Sequence, residues 1–242
     1  MAVHRIHLDE LVSTGVLTVR GEEAHHAARV RRLAVGERVE LLDGRGGVGR
    51  GTVQEIAKDR GEWVVGVSVQ SVERVPPVSP RLEVCTAVPK GSRLSDLIDG
   101  LAQVGAAVWR PLVTDRGVRE NWRREKLERV ALEASKQSGR AWRMEIGEEA
   151  VLVQALRPAD AGMSIVMADA QGGAYEPTAN NVRLLVGPEG GWSEQEVAAA
   201  RGAGASVCRF GVHVMRIETA AVVATGIVIS AGRPPKSGPT CS

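Results

Sequence analysis

Two short segments carry the residue types that could do chemistry. The first, Leu184-Leu-Val-Gly-Pro-Glu-Gly-Gly-Trp-Ser-Glu-Gln-Glu196, reads as a buried strand, a glycine-rich turn at 187–191 and then a helix. Ser193 with Glu196 three residues on is a capping box, which sets the helix start. Glycines let the backbone turn sharply and approach a ligand closely. Ligands of α/β sheets collect at the carboxyl ends of strands, so the turn is either a ligand loop or a plain tight turn. The second segment, Arg209-Phe-Gly-Val-His-Val-Met-Arg-Ile-Glu-Thr-Ala-Ala221, repeats the plan of strand end, glycine turn and helix start. Charge at the start of a buried helix needs a partner. Arg216 and Glu218 therefore pair with each other or serve a ligand.

Two further patterns carry less. Gly44-Arg-Gly-Gly-Val-Gly49 fits G-x-G-x-x-G, but a dinucleotide fingerprint needs a helix next. Arg50-Gly-Thr-Val-Gln-Glu-Ile-Ala57 alternates like a strand, so a hairpin loop is expected. His25 and His26 sit on an expected helix beside Arg29, Arg31 and Arg32 with no second ligand cluster nearby, so no metal is expected.

The elements that must position these loops follow from periodicity. Val75-Pro-Pro-Val-Ser-Pro80 is a stiff linker, because proline removes backbone donors and extends its predecessor. Before it, strand-like runs at 3–8, 16–20, 38–43, 48–57 and 62–72 and one helix over 22–33 suggest a small barrel at 1–74. After it, over 81–242, strands at 81–88, 108–114, 164–168, 182–186 and 206–210 alternate with helices at 92–104, 122–138, 193–202 and 217–230. Leu94, Leu97, Ile98, Leu101 and Val104 form one stripe of the first of these helices. That alternation implies an α/β domain with a largely parallel sheet.

Composition bounds the partners. The chain has 242 residues and a formal net charge of +2, with 43% hydrophobic and 25% charged residues, so it is not largely disordered. Five Trp, one Tyr and one Phe are too few for a sheet that stacks RNA bases. Cys85, Cys208 and Cys241 are odd in number and far apart, which argues against a disulfide framework and suits a reducing compartment. The N-terminus does not read as a signal peptide, and the apolar run 220–231 is about half a membrane span. A cytoplasmic protein with no membrane partner is expected. Residues 116–143 hold nine Lys/Arg against four Glu, which is either a solvated helix face or a phosphate-contacting surface.

The paired signatures Leu185-Val-Gly-Pro-Glu-Gly-Gly191 and Phe210-Gly-Val-His-Val-Met-Arg-Ile-Glu-Thr-Ala220 resemble the knotted SPOUT-class RNA methyltransferases. More narrowly they resemble the bacterial 16S ribosomal RNA uridine-N3 methyltransferase family. His25-His-Ala-Ala-Arg-Val-Arg-Arg-Leu33 with Leu42-Asp-Gly44, Val88-Pro-Lys-Gly-Ser-Arg93 and Leu132-Glu-Ala-Ser-Lys-Gln-Ser-Gly-Arg140 extend the match across nearly the whole chain. Phe210, His213, Met215, Gly117 and Gln103 depart from the usual pattern.

The resemblance implies a PUA-like RNA-binding β-barrel followed by a parallel-sheet trefoil-knot domain, an exception to the rule of unthreaded chains. It implies S-adenosylmethionine as cofactor, no metal, a homodimer, and 16S ribosomal RNA or the small ribosomal subunit as partner. Carried onto this chain, the cofactor pocket comprises Ala168, Asp169, Val186, Gly187, Pro188, Glu189, Gly190, Gly191, Phe210, Gly211, Val214, Met215, Arg216 and Thr219. Arg216, Glu189 and Glu218 are the candidate catalytic residues. Arg29, Arg32, Lys90, Arg93, Arg116, Lys136, Gln137 and Arg140 are the candidates for holding RNA. Ribose 2′-O methylation by another SPOUT enzyme, a non-catalytic RNA-binding assembly factor and, more remotely, a small-molecule methyltransferase are the competing readings.

Overall fold

The computed structural model describes residues 3–177 and 181–232; Cys241 lies outside them. The chain divides into two compact units, residues 1–77 with 135–143, and residues 78–134 with 144–242.

The first unit is a mixed five-stranded sheet in the order β1-β3-β4-β5-β2. Its strands are β1 (His4–His7), β2 (Gly15–Val19), β3 (Arg38–Leu42), β4 (Gly47–Asp59) and β5 (Glu62–Arg74). β1 runs parallel to β3, and the other pairs are antiparallel. Alternation puts Ile6, Val39, Leu41, Val53, Val65 and Val67 into one buried cluster. The β4–β5 hairpin closes through Arg60 (φ 50) and Gly61 (φ 90), two left-handed residues in a two-residue loop whose twist matches the strands. The segment 44–49 belongs to the β3–β4 hairpin, its first residues in the connection and Gly47–Gly49 already in β4, as the alternation indicates. There Asp43 Oδ1 accepts from the amides of Arg45 (2.7 Å) and Gly47 (2.8 Å).

The helix expected over 22–33 is shorter and irregular. α1 (Gly21–His25) widens into a π-helical turn, His26–Val30, and Arg32 at φ 56 ends it. Periodicity at 3.6 residues fits the buried Ala24 and Ala27 but does not report the extra residue per turn.

The second unit is a parallel sheet in the order β12-β10-β11-β6-β7-β8, with β9 paired to β7. Its strands are β6 (Arg81–Thr86), β7 (Val108–Val113), β8 (Glu145–Ile146), β9 (Ala150–Val151), β10 (Met163–Gly173), β11 (Asn181–Val186) and β12 (Ser206–Cys208). The helices are α2 (Arg93–Val104), α3 (Arg124–Ser138, whose end counts with the first unit), α4 (Leu152–Ala155), α5 (Glu194–Gly202) and α6 (Ile217–Ala231).

Central strands of such a sheet are buried on both faces. Leu82 and Val84 of β6 join the cluster with the stripe of α2 and the apolar face of α6, while Cys85 joins the opposite cluster with Trp192 and Ala200. The charges on that second face are neutralised locally. Glu83 binds Arg110 and, at 3.1 Å, Arg183, which also donates to the carbonyls of Ala155 (2.9 Å) and Arg157 (2.6 Å).

After β12, at one edge, the chain returns to seat α6 against α2, β6 and β11. This strand order and return are those expected of the knotted SPOUT arrangement. No helix of the described residues is long and apolar enough to cross a membrane.

Candidate cofactor site

Because β12, β10 and β11 are parallel neighbours, their carboxyl ends lie along one edge of the sheet. This gathers segments far apart in sequence: Ala168-Asp169, Val186–Trp192, and Arg209–Gly211 with His213–Arg216. Together with Ala170 and Ala220 they line a cavity of about 470 Å³. Every residue expected to bind the cofactor lines it except Thr219, which is exposed on α6.

Close packing explains the glycines. A Cβ on Gly187 would meet the Trp192 ring at 2.9 Å, and that indole donates from Nε1 to the carbonyl of Ala168 at 2.9 Å. A Cβ on Gly172 would meet the Cys208 backbone at 2.6 Å, so glycine lets β10 run past β12. Asp169 Oδ1 accepts from Gln171 N at 2.7 Å where the strand register shifts. The single Tyr and single Phe of the chain meet here, Tyr175 against Phe210 at 5.6 Å between ring centroids. Burial pushes the Tyr175 hydroxyl up, with a smaller push from Cys208.

The glycine loop has few side chains of its own and is fastened from outside. Arg93, at the start of α2, reaches Glu189 at 2.8 Å. Arg116, after β7, donates to the carbonyl of Gly190 at 2.9 Å. Glu196 is only 5% exposed and accepts from Asp115 N (2.9 Å) and Ser193 N (2.8 Å), while Ser193 Oγ donates to Asp115 Oδ2 at 2.6 Å. The capping box is therefore present and extends to a third segment. Partial burial pushes the Glu189 carboxyl up, but its own backbone amide, Arg93 and Lys90 outweigh this and hold it below the usual carboxylate range.

Arg216 is the residue before α6; it is exposed and lines the cavity. It forms no ion pair with Glu218, whose recorded cation is Arg93 at 3.8 Å. Glu218 Oε2 is buried without a hydrogen-bond partner. Val214, at 85% exposed, presents an apolar side chain in the cavity wall that a ligand would cover.

The residues expected to hold RNA disperse. Arg93 and Arg116 are engaged by the glycine loop, and Lys90 is exposed nearby in sequence. In the first unit, Arg29 lines a separate cavity of about 640 Å³ with His25, Lys58 and Trp63, and Arg32 is exposed. Lys136 is buried and paired with Glu23 at 2.6 Å. Gln137 is exposed, and its carbonyl, like that of Lys136, accepts from Arg5 at 3.0 Å. Burial lowers the Arg140 guanidinium to about 10. Trp192, Arg209 and Ala170, missing from the expected pocket, belong to it. Only Arg209, directly after β12, carried a signal by its position at a strand end.

The chain matches the RNA methyltransferase domain family over residues 77–229 and the RNA methyltransferase PUA domain family over residues 19–62. It is 33% identical to ribosomal RNA small subunit methyltransferase E of Mycobacterium bovis, covering 94% of this chain and 92% of that protein. The protein of the same name from Bacillus subtilis is 24% identical over 87% of this chain and 88% of that one. Among solved structures, a methyltransferase of Legionella pneumophila in complex with the bound cofactor SAM superposes with a TM-score of 0.83 at 26% identity, covering 96% of this chain and 99% of that one.

Proposed function

The chain belongs to the ribosomal RNA small subunit methyltransferase E family, and on that footing we propose that it transfers a methyl group from S-adenosylmethionine to N3 of a uridine in 16S ribosomal RNA. The observation that carries the reading is the cavity at three adjacent strand ends, walled by glycine backbone and apolar side chains with the guanidinium groups of Arg209 and Arg216 at its side.

The residues fit that cofactor. Val186, Phe210, Val214 and Met215 give an apolar wall for a purine, and Asp169, Glu189 and Arg209 supply polar groups for a zwitterionic, sulfonium-bearing tail. When bound, S-adenosylmethionine supplies a methyl carbon made electrophilic by its sulfonium. The work of this chain is to align N3 of the base with that carbon, where proximity gives most of the rate. The N3 imide must lose its proton as the new N–C bond forms and the methyl–sulfur bond breaks. Arg216, with no carboxylate partner among the described residues, is assigned to stabilise the negative charge that develops on the ring oxygens. Glu189, tied to Arg93, suits orientation. Glu218, two residues after Arg216, does not line the cavity itself and has a buried oxygen lacking a hydrogen bond; it is kept as the candidate proton acceptor.

The RNA is held by phosphate contacts from the unit built on residues 1–74 and from exposed cations such as Arg29, Arg32 and Lys90. Residues 81–242, beyond the linker 75–80, carry the transfer. The working form is a cytoplasmic homodimer.

Primer extension on ribosomal RNA before and after treatment with the protein and S-adenosylmethionine tests the reading. An N3 methyl blocks pairing and stops the polymerase, and a nucleoside digest then yields 3-methyluridine. A digest yielding a 2′-O-methyl nucleoside would replace the reaction proposed, and absence of any methylated nucleoside would leave an RNA-binding factor.

A further inference from the structure

His213 lines the cofactor cavity from the coil between β12 and α6 and is exposed. The chain has five histidines, and the other four, His4, His7, His25 and His26, belong to the first unit. The coil folds tightly around this position. A Cβ on Gly211 would meet the Met215 methyl at 2.9 Å and the His213 carbonyl oxygen at 3.7 Å. His213 and Arg216 thus share one short stretch of the cavity wall.

Methylation at an imide nitrogen needs a proton acceptor in that wall. The N3–H of a uracil ring stands between two carbonyls. The group that takes its proton must therefore sit beside the group that steadies the carbonyl charge. Arg209 and Arg216 can only donate. Among the described residues the carboxylates of the wall are Asp169 and Glu189, and both are engaged. Asp169 Oδ1 accepts from Gln171 N at 2.7 Å, and Glu189 is bonded to Arg93 at 2.8 Å. Glu218 lies outside the wall, with Arg93 as its recorded cation. The His213 imidazole makes no hydrogen bond or ion pair among the described residues. A neutral imidazole keeps one ring nitrogen with a free lone pair, and histidine is the side chain that most often serves as a general base. Exposure gives the proton a way out to water.

We propose that His213 takes the N3 proton of the base that is methylated. The N3–H bond breaks and its proton passes to the imidazole nitrogen. The electron pair left on N3 forms the bond to the methyl carbon, and the pair of the methyl–sulfur bond stays with sulfur. The imidazolium then gives its proton to water, while Arg216 holds the charge on the neighbouring carbonyl. The proposal rests on the reading that N3 of a uridine in RNA is the acceptor. It names the base for that reaction and places His213 ahead of Glu218 in taking the proton.

The test uses full-length protein, S-adenosylmethionine and ribosomal RNA. Because His213 is exposed, His213→Ala and His213→Gln are expected to melt like the wild type. Both are expected to slow single-turnover transfer about 100-fold, as for loss of a general base, with cofactor Kd by calorimetry unchanged. Gln keeps a hydrogen-bonding side chain, so equal losses in the two variants separate proton transfer from positioning. Added imidazole is expected to restore transfer to His213→Ala in proportion to its free-base concentration. Val212→Ala, 90% exposed and outside the wall, is expected to match the wild type. A readout without transfer comes from NMR with isotope-labelled histidine. The ring signals missing from His213→Gln should shift when uridine-containing RNA is added without the methyl donor. Wild-type transfer by either variant, no rescue by imidazole, or an unmoved ring signal would overturn the proposal and return the proton to Glu218, with the methyltransferase reading intact. A loss confined to cofactor Kd would overturn it too, since His213 would then be a wall residue only. If the wild-type protein left N3 of uridine unmethylated, the functional reading would fail and the base with it.

Discussion

Arg93 Nη1 lies 2.8 Å from Glu189 Oε1, joining the start of α2 to a glycine loop 96 residues later in the chain. This placement makes Arg93 a support of the cofactor cavity. Arg93→Ala is expected to weaken S-adenosylmethionine binding by a few-fold, about 1 kcal/mol or less, because both partners are part-exposed. RNA affinity measured against salt should keep its slope. A slope reduced by about one phosphate contact would return Arg93 to the RNA surface.

Gly187→Ala adds a methyl where the Trp192 ring already stands 2.9 Å away. Displacing the indole would strain its hydrogen bond to Ala168, and such overpacking costs roughly 1–3 kcal/mol. Calorimetry should show cofactor binding lost by tenfold or more, and urea unfolding a lower midpoint. Unchanged binding would mean that the loop yields freely.

Glu196→Ala would leave the part-buried amides of Asp115 and Ser193 without their acceptor. The expected loss is about 1–3 kcal/mol of stability, from donors left without an acceptor while the Ser193 Oγ cap on the Glu196 amide remains. Glu196→Gln keeps an acceptor oxygen and should lose less. Equal unfolding midpoints for the two variants would contradict this account.

His4 and His7 carry imidazoles lowered from the ordinary 6.5, mainly by burial and then by the charges of Arg31 and Arg143 respectively. The unfolded chain takes up these protons first as pH falls. Stability is therefore full above about 6.5, lost as pH drops through the lowered folded values, and level below them. Melting followed from pH 7.5 to pH 5.5 should show a falling Tm, with a shallower fall in His7→Asn.

Burial pushes the Cys85 thiol up to about 12, with further raising by Glu83. Alkylation at pH 8 followed by peptide mass spectrometry should leave Cys85 unmodified in folded protein and label it in urea.

The sequence made the larger elements legible where a period exists. The stripe Leu94, Leu97, Ile98 and Leu101 belongs to α2, and the run from Ile217 onward to α6. The two-residue strands β8 and β9 and the single turn of α4 have no period to read. The glycine turns at 187–191 and 211 were legible as strand-to-helix turns, and the structure shows the close approach of Trp192 at 187; Gly172, which lets β10 run past the Cys208 backbone, carried no such signal. The intramolecular partners of Arg93 and Arg116 were not legible. Charge alone does not tell an arginine facing phosphate from one bonded to a carbonyl 74 residues onward.

The first unit is not a continuous stretch of chain. Residues 135–143 complete it, through Lys136 on Glu23, Arg5 on two carbonyls, Gly46 N on the carbonyl of Ala141 and Trp142 Nε1 on the carbonyl of Val75. A gene fragment cut at residue 77 would strip away those partners, leaving a buried seam open and an acidic Glu23 uncompensated. The chain must therefore be synthesised well past the middle of the protein before its amino-terminal unit can close.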